Sequence, residues 1–429
     1  MPLDPSLAHD ITQAVSDGFD AQVALTQELV RCPSQRGAEQ TAQDVIAREM
    51  RALDLPIDRF AMDRDRIAAH PGGSKITDAH SDVPILVATH HPESETGRSL
   101  ILQAHVDVVP PGPADLWTRP PYDPVVEGDW MYGRGSADMK AGAAANVAVL
   151  RALWSLGIQP AATLHLQSVV EEESTGNGAL MTHLRGYRGD ACLIPEPEDE
   201  KLVRANTGVV WFTVDVSGVA VHVREMGAGN NAIDAAYRVI GALRSLEAEL
   251  NADRATHRHF ETIDHPINLN IGRIEGGDWA SSVPNWCRLH CRLSLYPGQS
   301  AAEIAARVED TVSRFARDDA FLSNRPPVIT FNGFFAEGYA LEPGSDAEAV
   351  LASAHEQATG DPLESFVTPG YLDTRVHALY DHIPALCYGP IGENIHGVDE
   401  RVNLASVKRI TTAMALFVAA WCGVEKAGN

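Results

Sequence analysis

Segments in which apolar residues recur at helical spacing alternate along the chain with short stretches rich in apolar residues. Helical spacing predicts helices at residues 17–31, 38–53, 141–156, 346–359 and 403–421, with a short helix near 374–380. Short stretches rich in apolar residues predict strands at residues 99–109, 163–170, 191–195, 365–368 and 385–388, the first of which is expected to be buried. Because these strands alternate with helices, the pattern predicts an α/β fold with a mostly parallel sheet that helices cover on both faces.

The middle of the chain follows a different order. It predicts strand, helix, strand, strand, helix and strand at residues 209–216, 232–250, 267–274, 286–296, 301–315 and 327–331. This βαββαβ order is typical of a ferredoxin-like unit, which is large enough to fold as a separate domain. We therefore predict an inserted domain at residues 209–325 that divides the α/β domain into residues 1–208 and 326–429.

Composition and charge exclude several classes of protein. Of the 429 residues, 45% are hydrophobic and 21% are charged, which is ordinary for a globular chain and excludes global disorder. The 34 Lys and Arg residues against 58 Asp and Glu residues give a net charge of −24. A negative field of this size repels phosphate backbones and anionic lipids, so we expect no nucleic-acid or membrane partner.

Cysteine usage and the apolar stretches favour a cytoplasmic location. Six cysteines are too few for a disulfide scaffold in a chain of 429 residues. Cys287 and Cys291 fall on the apolar face of the alternating stretch 285–295, which favours core thiols over metal ligands. The first thirty residues carry no cationic segment followed by an apolar run, and the apolar stretch 413–424 is too short to span a bilayer.

Two sequence motifs contain residues suited to holding a metal. In His105-Val106-Asp107, residues i and i+2 of a strand project to the same side, so Asp107 can hydrogen-bond the imidazole of His105. A metal-bound histidine needs such a partner, although most His-x-Asp pairs are structural. Asp138 lies in the run Gly133–Gly142, which lacks the third glycine of a dinucleotide-binding loop. Its open backbone would instead allow the Asp138 carboxylate to bridge two cations.

Three further segments with acidic or histidine side chains follow predicted strands. The triplet Glu171–Glu173 leaves the strand at 163–170, and a bound cation would relieve the repulsion among its charges. Water would do the same if the triplet were exposed, so a solvated cluster remains an alternative. Glu196 stands between two prolines after the strand at 191–195, and His396 lies in the segment beyond the strand at 385–388.

All of these segments are expected to meet, because open α/β sheets place their sites at the carboxyl ends of the strands. Two histidines and three carboxylates suit a pair of divalent cations that share one bridging oxygen ligand. Zn²⁺ fits this mixed nitrogen and oxygen set best, with Mn²⁺ and Co²⁺ as alternatives. Two cations roughly 3.5–4 Å apart would bind a water and lower its pKa towards 7.

Taken together, the motifs resemble those of one enzyme family over nearly the whole chain. This family comprises the dinuclear zinc amidohydrolases and peptidases related to acetylornithine deacetylase, succinyl-diaminopimelate desuccinylase, carboxypeptidase G and aminoacylase-1. The resemblance implies a metallohydrolase catalytic domain with an inserted dimerisation or lid domain, and hence a homodimer. The metal ligands that it implies are His105, Asp138, Glu173, Glu196 and His396.

The resemblance also implies roles for the residues beside these ligands. Asp138 would bridge the two cations, and Asp107 would orient His105. Glu172 would be the general base, taking a proton from the metal-bridged water and passing it to the leaving amine. Glu171 would have no direct part in the reaction.

Outside the metal set, His222 corresponds to a catalytic position of the family, and Arg375 and Ser282 correspond to substrate-binding positions. His222 occupies the place of a histidine that reaches the neighbouring subunit's active site and donates to the oxyanion, although Val223 and Arg224 replace small residues there. Arg375 resembles an arginine near the substrate and would pair with a carboxylate, although a surface ion pair would also explain it. Ser282 stands where many relatives have an asparagine.

Three hypotheses about function follow from this resemblance. The first is a metal-dependent hydrolase of an amide bond, either an N-acyl amino acid deacylase or a dipeptidase or carboxypeptidase-like enzyme, acting on a small substrate that carries a carboxylate. The second is a hydrolase of a non-peptide C–N bond, such as an aryl amine or a ring amide. The third is a metal-binding or ligand-binding protein without catalysis, which the presence of Glu172 argues against because a structural site needs no spare acid.

Overall fold

The computed structural model describes residues 3–77 and 79–427. Within them the helices are α1 (Pro5–Val30), α2 (Gln40–Ala52), α3 (Arg64–Ala69), α4 (Ala141–Ser155), α5 (Asn177–Arg185), α6 (Ala232–Ala252), α7 (Ala301–Asp318), α8 (Asp346–Thr359), α9 (Thr374–Val376) and α10 (Leu404–Cys422). The strands of the first half are β1 (Ile57–Phe60), β2 (Ile85–His90), β3 (Leu100–His105), β4 (Val125–Glu127), β5 (Trp130–Tyr132), β6 (Ile158–Pro160), β7 (Leu164–Val169), β8 (Ala191–Ile194) and β9 (Leu202–Asn206). The strands of the second half are β10 (Gly208–Ser217), β11 (Leu269–Gly276), β12 (Trp286–Leu295), β13 (Val328–Ala336), β14 (Tyr339–Ala340), β15 (Ser365–Thr368), β16 (Ala385–Cys387), β17 (Gly392–Glu393), β18 (Arg401–Asn403) and β19 (Val424–Lys426).

The main sheet has six strands in the order β1-β2-β7-β3-β8-β16. Strands β7, β3, β8 and β16 run parallel, whereas β2 is antiparallel to both of its neighbours. Strands β3 and β7 are buried at every position, as expected for a parallel sheet with both faces covered by helices. The predicted α/β fold with a mostly parallel sheet is confirmed.

A second sheet has the order β11-β12-β10-β13, with every neighbouring pair antiparallel. Together with α6 and α7 it forms the predicted ferredoxin-like βαββαβ unit. Helix α7 begins with a capping box in which Ser300 and Glu303 bond each other's backbone N–H groups. Strand β13, which completes the sheet, comes after residue 325, so the division at residues 208 and 325 stays a prediction.

The two faces of the inserted sheet have different surroundings. On β10, Val210, Phe212 and Val214 pack in a core with residues of α6 and α7. Cys287 and Cys291 of β12 belong to the same core, which confirms that they are core thiols. Because side chains alternate along a strand, the residues between them point to the opposite face, which turns towards the α/β domain.

Helix α10 is long and apolar enough to cross a membrane by length and composition. However, 72% of its most apolar window is buried inside the protein. It packs against helices α1, α4 and α8 in the main core. Its apolar composition is therefore that of a core helix.

Several elements beside the main strands are absent from the sequence prediction. Helix α5 follows the acidic triplet directly, where Gly176 has a left-handed φ of 66°. A Cβ on Gly178 would lie only 2.0 Å from the Val170 carbonyl oxygen, so this glycine allows α5 to approach β7 closely. From the sequence alone, two glycines in a short polar stretch predict a loop. The close contact of α5 with the end of β7 overrides this local preference, and a helix forms instead.

Candidate active site

The candidate site lies at the carboxyl edge of the main sheet. Strand β3 ends at His105, and its neighbours β7 and β8 lead directly to the acidic triplet and to Glu196. Asp138 comes from the turn before α4, and His396 from the loop between β17 and β18. The five predicted ligands, which come from distant parts of the sequence, are therefore brought to one place.

Asp138 stands at the centre of this cluster. Its Oδ1 lies 3.1 Å from Nε2 of His105, and its Oδ2 lies 3.3 Å from Nε2 of His396. Beyond His396, the Glu173 carboxylate is 3.0 Å from the same Nε2. Beyond His105, the Glu196 carboxylate is 3.7 Å from Nε2. The cluster thus has two halves, each with one histidine and one glutamate, and Asp138 gives one oxygen to each half.

His105 presents Nε2 to the carboxylates because its other nitrogen is occupied. The Nδ1 atom lies 3.0 Å from the backbone carbonyl oxygen of Asp107. Since a carbonyl oxygen can only accept, Nδ1–H is the donor. This arrangement fixes the ring and leaves Nε2 for a metal.

The Asp107 side chain contacts both His105 and the triplet. Its Oδ1 is 3.6 Å from His105 Nδ1. In addition, the backbone N–H groups of Glu172 and Glu173 donate to Oδ1 and Oδ2 at 3.2 and 3.0 Å. Asp107 thus lies beside the His105 ring through both its carbonyl oxygen and its carboxylate, and its role in orienting His105 stays a prediction.

Glu171 turns away from the rest of the triplet. Its backbone has a left-handed φ of 62°, and its side chain accepts from Nε of Arg36 at 2.8 Å. Burial alone would raise the pKa of Glu171, but the His80 imidazole, 3.3 Å away, and the Arg36 guanidinium lower it to about 2. Glu171 is thus a structural anion outside the cluster.

A buried glutamate that the sequence prediction does not single out positions Asp138. Oε1 of Glu400 accepts from the backbone N–H groups of Ala137 and Asp138 at 3.0 and 3.1 Å. Its Oε2 accepts from Arg134 at 2.6 Å, and Arg134 also donates to the Gly397 carbonyl oxygen next to His396. Glu400 and Arg134 therefore tie the Asp138 turn to the His396 loop. The only sequence signal for this role is the position of Glu400 four residues after His396.

The buried cluster contains more carboxylates than its two histidines can neutralise. Burial raises the pKa of Glu172, Glu173 and Glu196. The Glu173 carboxylate, together with Asp138, raises the pKa of His396 to about 11. For His105, burial opposes the charged form, but neighbouring carboxylates, chiefly that of Glu196, outweigh it and raise the pKa. Bound cations would compensate the same carboxylates.

The donor set also fits metal ions in its chemistry. Oε1 of Glu196 is buried and has no hydrogen-bond partner among residues 3–77 and 79–427. A buried carboxylate oxygen without a partner is costly, and a cation would satisfy it. One ligand atom from each of His105, Asp138 and Glu173 lies within 4.8 Å of the others. The residues present therefore fit a metal centre.

A cavity of about 770 Å³ opens between this cluster and the inner face of the inserted sheet. Glu172 lines it beside the ligands, and its carboxylate comes no nearer than 3.9 Å to His105 Nε2. The other wall carries residues that the sequence prediction does not single out, namely Trp211, Asn270, Arg292, Asn332 and Phe334. Strand alternation could have placed Trp211 and Arg292 opposite the core face, but not beside the catalytic cluster.

Arg375 does not line this cavity. Its side chain is fully buried, and it donates to the Tyr371 hydroxyl at 3.1 Å and to the Gly72 carbonyl oxygen at 3.0 Å. Glu337 lies 3.5 Å away and balances its charge. The prediction that Arg375 binds substrate is therefore corrected. Its guanidinium instead bonds groups of the protein itself, among them the hydroxyl of Tyr371, which does line the cavity.

His222 and Ser282 lie next to each other on the inserted domain, paired by an isolated β-bridge. Both are exposed, and neither lines the cavity beside the metal ligands. Ser282 lines a separate shallow groove together with Met226 and Trp279. Within one chain these two residues are not part of the active site, and a role in the neighbouring subunit stays a prediction.

Comparisons with known proteins identify the family of this chain. Residues 101–420 match the family described as Peptidase family M20/M25/M40. N-formyl-4-amino-5-aminomethyl-2-methylpyrimidine deformylase of Halalkalibacterium halodurans is 25% identical over 439 residues, which cover 98% of this chain and 99% of that protein. Succinyl-diaminopimelate desuccinylase of Cereibacter sphaeroides is 28% identical over 398 residues, which cover 90% of this chain and 95% of that protein.

Among solved structures, the di-peptidase Dug1p of Saccharomyces cerevisiae matches with a TM-score of 0.79 and 14% identity, covering 97% of this chain and 98% of that one. At this identity the likeness concerns the fold alone. The family match spans well over half of the chain, and it confirms the predicted family and the predicted class, a metal-dependent hydrolase of amide bonds. The chain belongs to peptidase family M20/M25/M40.

Proposed function

We propose that this hydrolase cleaves the amide bond of a small substrate with the help of two divalent cations. The observation that carries the proposal is the division of Asp138 between the two histidines, at 3.1 and 3.3 Å. A carboxylate with one oxygen towards each half of a cluster is suited to bridging two ions. Zn²⁺ is the proposed ion because the ligands mix imidazole and carboxylate, and Mn²⁺ and Co²⁺ are the alternatives. Its ligands are His105, Asp138, Glu173, Glu196 and His396.

Glu172 is the proposed general base. It lines the cavity, and Asp107 holds its backbone N–H, so its position is fixed relative to the cluster. The carboxylate takes a proton from the attacking water and delivers it to the leaving nitrogen. When bound, the cations would polarise the amide carbonyl and acidify the water.

Arg292 is the proposed recognition group for a substrate carboxylate, in place of Arg375. It lines the cavity from β12, and it donates to Ser294 Oγ at 3.1 Å and to the Pro369 carbonyl oxygen at 3.5 Å. Within residues 3–77 and 79–427, no carboxylate of the protein lies within salt-bridge distance of it. A partly buried guanidinium without an anionic partner is suited to a carboxylate that arrives with the substrate.

We expect Arg292→Met to lower kcat/KM about 10- to 100-fold for substrates with a free carboxylate, which is the range of a lost charged hydrogen bond. The same variant should lower kcat/KM only slightly for the corresponding substrates that have a carboxamide in place of the carboxylate. Arg288→Met is the matched control, because Arg288 lies on the same strand outside the cavity and pairs with Asp215. Equal losses for both kinds of substrate would show that Arg292 does not recognise the carboxylate.

A second candidate function is hydrolysis of a non-peptide C–N bond, in an aryl amine or a ring amide. It is favoured by the relative from Halalkalibacterium halodurans, whose name states deformylation of an aminopyrimidine derivative and which matches 98% of this chain. The other relative is named for removal of a succinyl group. Assay of N-acyl amino acids, dipeptides and aryl amides with Zn²⁺, Mn²⁺ and Co²⁺ supplied in turn separates the candidates. A metal-loaded protein that hydrolyses none of these would instead support a non-catalytic metal-binding role.

A homodimer through the inserted domain is part of the proposal. Large apolar side chains are exposed there, with Trp279 at 73%, Tyr237 at 67% and Met226 at 59% of their full exposure. Strand β11 is also an open edge of the inserted sheet. Exposed apolar residues and a free strand edge on one domain are suited to contact with a second copy.

The dimer proposal predicts complementation between two inactive variants. If His222 donates to the oxyanion across the dimer, a verified heterodimer of one His222→Ala subunit and one Glu172→Gln subunit should regain activity. Its rate should reach up to about half of that of the wild-type dimer. One active site of such a heterodimer has both residues intact. Absence of rescue would mean that His222 acts in its own chain or has no part in the reaction.

A cytoplasmic location is likewise proposed. All six cysteines are free thiols, which suits a reducing compartment. The net charge of −24 disfavours nucleic-acid and anionic membrane partners, which leaves a small molecule as the proposed partner besides a second subunit.

A further inference from the structure

Three aromatic side chains form one side of the cavity, and we call Trp211, Phe334 and Tyr371 the aromatic wall. The ring centroids of Trp211 and Phe334 are 5.1 Å apart at 81°, and those of Phe334 and Tyr371 are 4.4 Å apart at 50°. The three rings therefore touch in sequence, in the tilted and edge-to-face geometries that aromatic pairs prefer. They pack on Val209 and Ala336, which form a small apolar cluster beneath them.

The aromatic wall is held in place from behind. The Tyr371 hydroxyl donates to Asp373 at 2.9 Å and accepts from Nε of Arg375 at 3.1 Å. Gly333 has a left-handed φ of 77°, and a Cβ there would lie 2.7 Å from the indole ring of Trp211. The indole thus rests directly on the backbone of this glycine. A wall fixed in this way loses little side-chain freedom when a ligand packs against it.

The aromatic wall also lies beside the catalytic residues. A Cβ on Gly176 would fall 1.8 Å from the Tyr371 hydroxyl, so this ring abuts the loop that carries Glu172. A Cβ on Gly333 would lie 3.0 Å from the Ser174 carbonyl oxygen, which places the Trp211 end next to the same loop. Both ends of the wall therefore border the position where the scissile bond must lie to reach Glu172.

We propose that the aromatic wall selects substrates in which a planar aromatic or heteroaromatic ring adjoins the scissile amide. The inference rests on the proposed function, since it concerns the substrate of the same site. A flat ring gains from contact with three aromatic faces and edges beyond the area that it buries, whereas a saturated ring of similar size gains only the burial. The wall thus determines specificity and takes no part in proton transfer.

Matched substrate pairs test the proposal, because they differ only in aromaticity. N-acetyl-L-phenylalanine is compared with N-acetyl-L-cyclohexylalanine, and N-benzoylglycine with N-cyclohexanecarbonylglycine, so the ring lies on the amine side or on the acyl side. The aromatic member of at least one pair should have a kcat/KM about three- to tenfold higher, as measured aromatic contacts would give. In Trp211→Leu and Phe334→Leu that ratio should fall to near one.

Controls separate the aromatic wall from general damage to the fold. Trp211→Phe keeps a ring and should keep most of the ratio, which tests the contact if Trp211→Leu folds poorly. Trp154→Leu makes a tryptophan-to-leucine change away from the cavity and should leave the ratio unchanged. Equal rates within both pairs for the wild-type protein, or an undiminished ratio in both leucine variants, would overturn the proposal.

Binding provides a readout that does not depend on turnover. Calorimetric titration of the Glu172→Gln protein with the same four compounds should give tighter binding of the aromatic member in the preferred pair. If all four are hydrolysed without preference, the aromatic-wall proposal fails while the proposed function stands. If none is hydrolysed by metal-loaded protein, the proposed function fails for these amides, and the binding ratio alone then decides whether the wall selects a ring.

Discussion

Replacement of Glu172 by Gln is expected to slow amide hydrolysis by at least about 100-fold, with both cations still bound. The amide side chain has nearly the same shape as the carboxylate but cannot accept the proton of the attacking water. Glu172 lines the cavity 3.9 Å from His105 Nε2 and is the proposed base, whereas Glu173, 3.0 Å from His396 Nε2, is the proposed ligand. The rate of hydrolysis and the metal content per chain together check this assignment.

Two further variants make the experiment with Glu172→Gln discriminating. Glu173→Gln should lose metal as well as rate, because Glu173 is the proposed ligand. Glu356→Gln, at an exposed position on α8, should change neither. A nearly normal rate for Glu172→Gln would refute its role as the base. Loss of a metal ion from Glu172→Gln and not from Glu173→Gln would show that the two acids have exchanged roles.

Removal of the metals is expected to abolish hydrolysis, and Asp138→Asn should come close to the same result. We expect Asp138→Asn to lower kcat about 1,000-fold or more, since the Lewis-acid contribution of such ions amounts to several kcal/mol. The variant loses the charge of the one residue that faces both histidines, so it should also hold fewer ions. Metal analysis of the variant beside the wild-type protein measures this directly.

The wild-type protein should hold close to two equivalents of divalent ion per chain after gentle purification. Treatment with a chelator should remove the activity, and Zn²⁺, Mn²⁺ or Co²⁺ should restore it. The chelated protein should also melt at a lower temperature, because ions that bind only the folded state stabilise it. Full activity with a stoichiometry near zero would contradict the metal mechanism altogether.

The periodicity of the chain predicts the main elements because burial dictates them. Strand β3 begins with the apolar run Leu100–Leu102, which predicts a buried strand, whereas β7 carries His165, Gln167 and Ser168, so its burial at every position is set by the fold. The ferredoxin-like unit is predictable for a related reason, since its strands alternate and its helices carry an apolar stripe. In contrast, α5 begins at two glycines whose role depends on a contact with β7, and no local pattern shows that contact.

Three of the five proposed ligands are predictable because His105, Glu173 and Glu196 lie at strand ends of the parallel sheet, whereas Asp138 and His396 come from a turn and a loop outside it. The substrate side of the cavity is not predictable, because it depends on which face of one domain lies against the other. Arg375 and Arg292 illustrate the difference, since both are isolated arginines in the sequence. The fold buries the first behind Tyr371 and exposes the second to the cavity. Only the tertiary arrangement distinguishes a structural guanidinium from one that is available to a ligand.

The hydrogen bonds that Asp107 accepts from the backbone N–H groups of Glu172 and Glu173 couple the position of the proposed base to that of a proposed metal ligand. Movement of either acid would disturb the hydrogen bond of the other to Asp107, so this single carboxylate sets the distance between the proposed base and the proposed metal ligand. We expect changes in substrate range to arise elsewhere, in the cavity side chains of the inserted sheet and in Tyr371 of the α/β domain. The proposed reaction chemistry and the choice of substrate are then expected to vary independently.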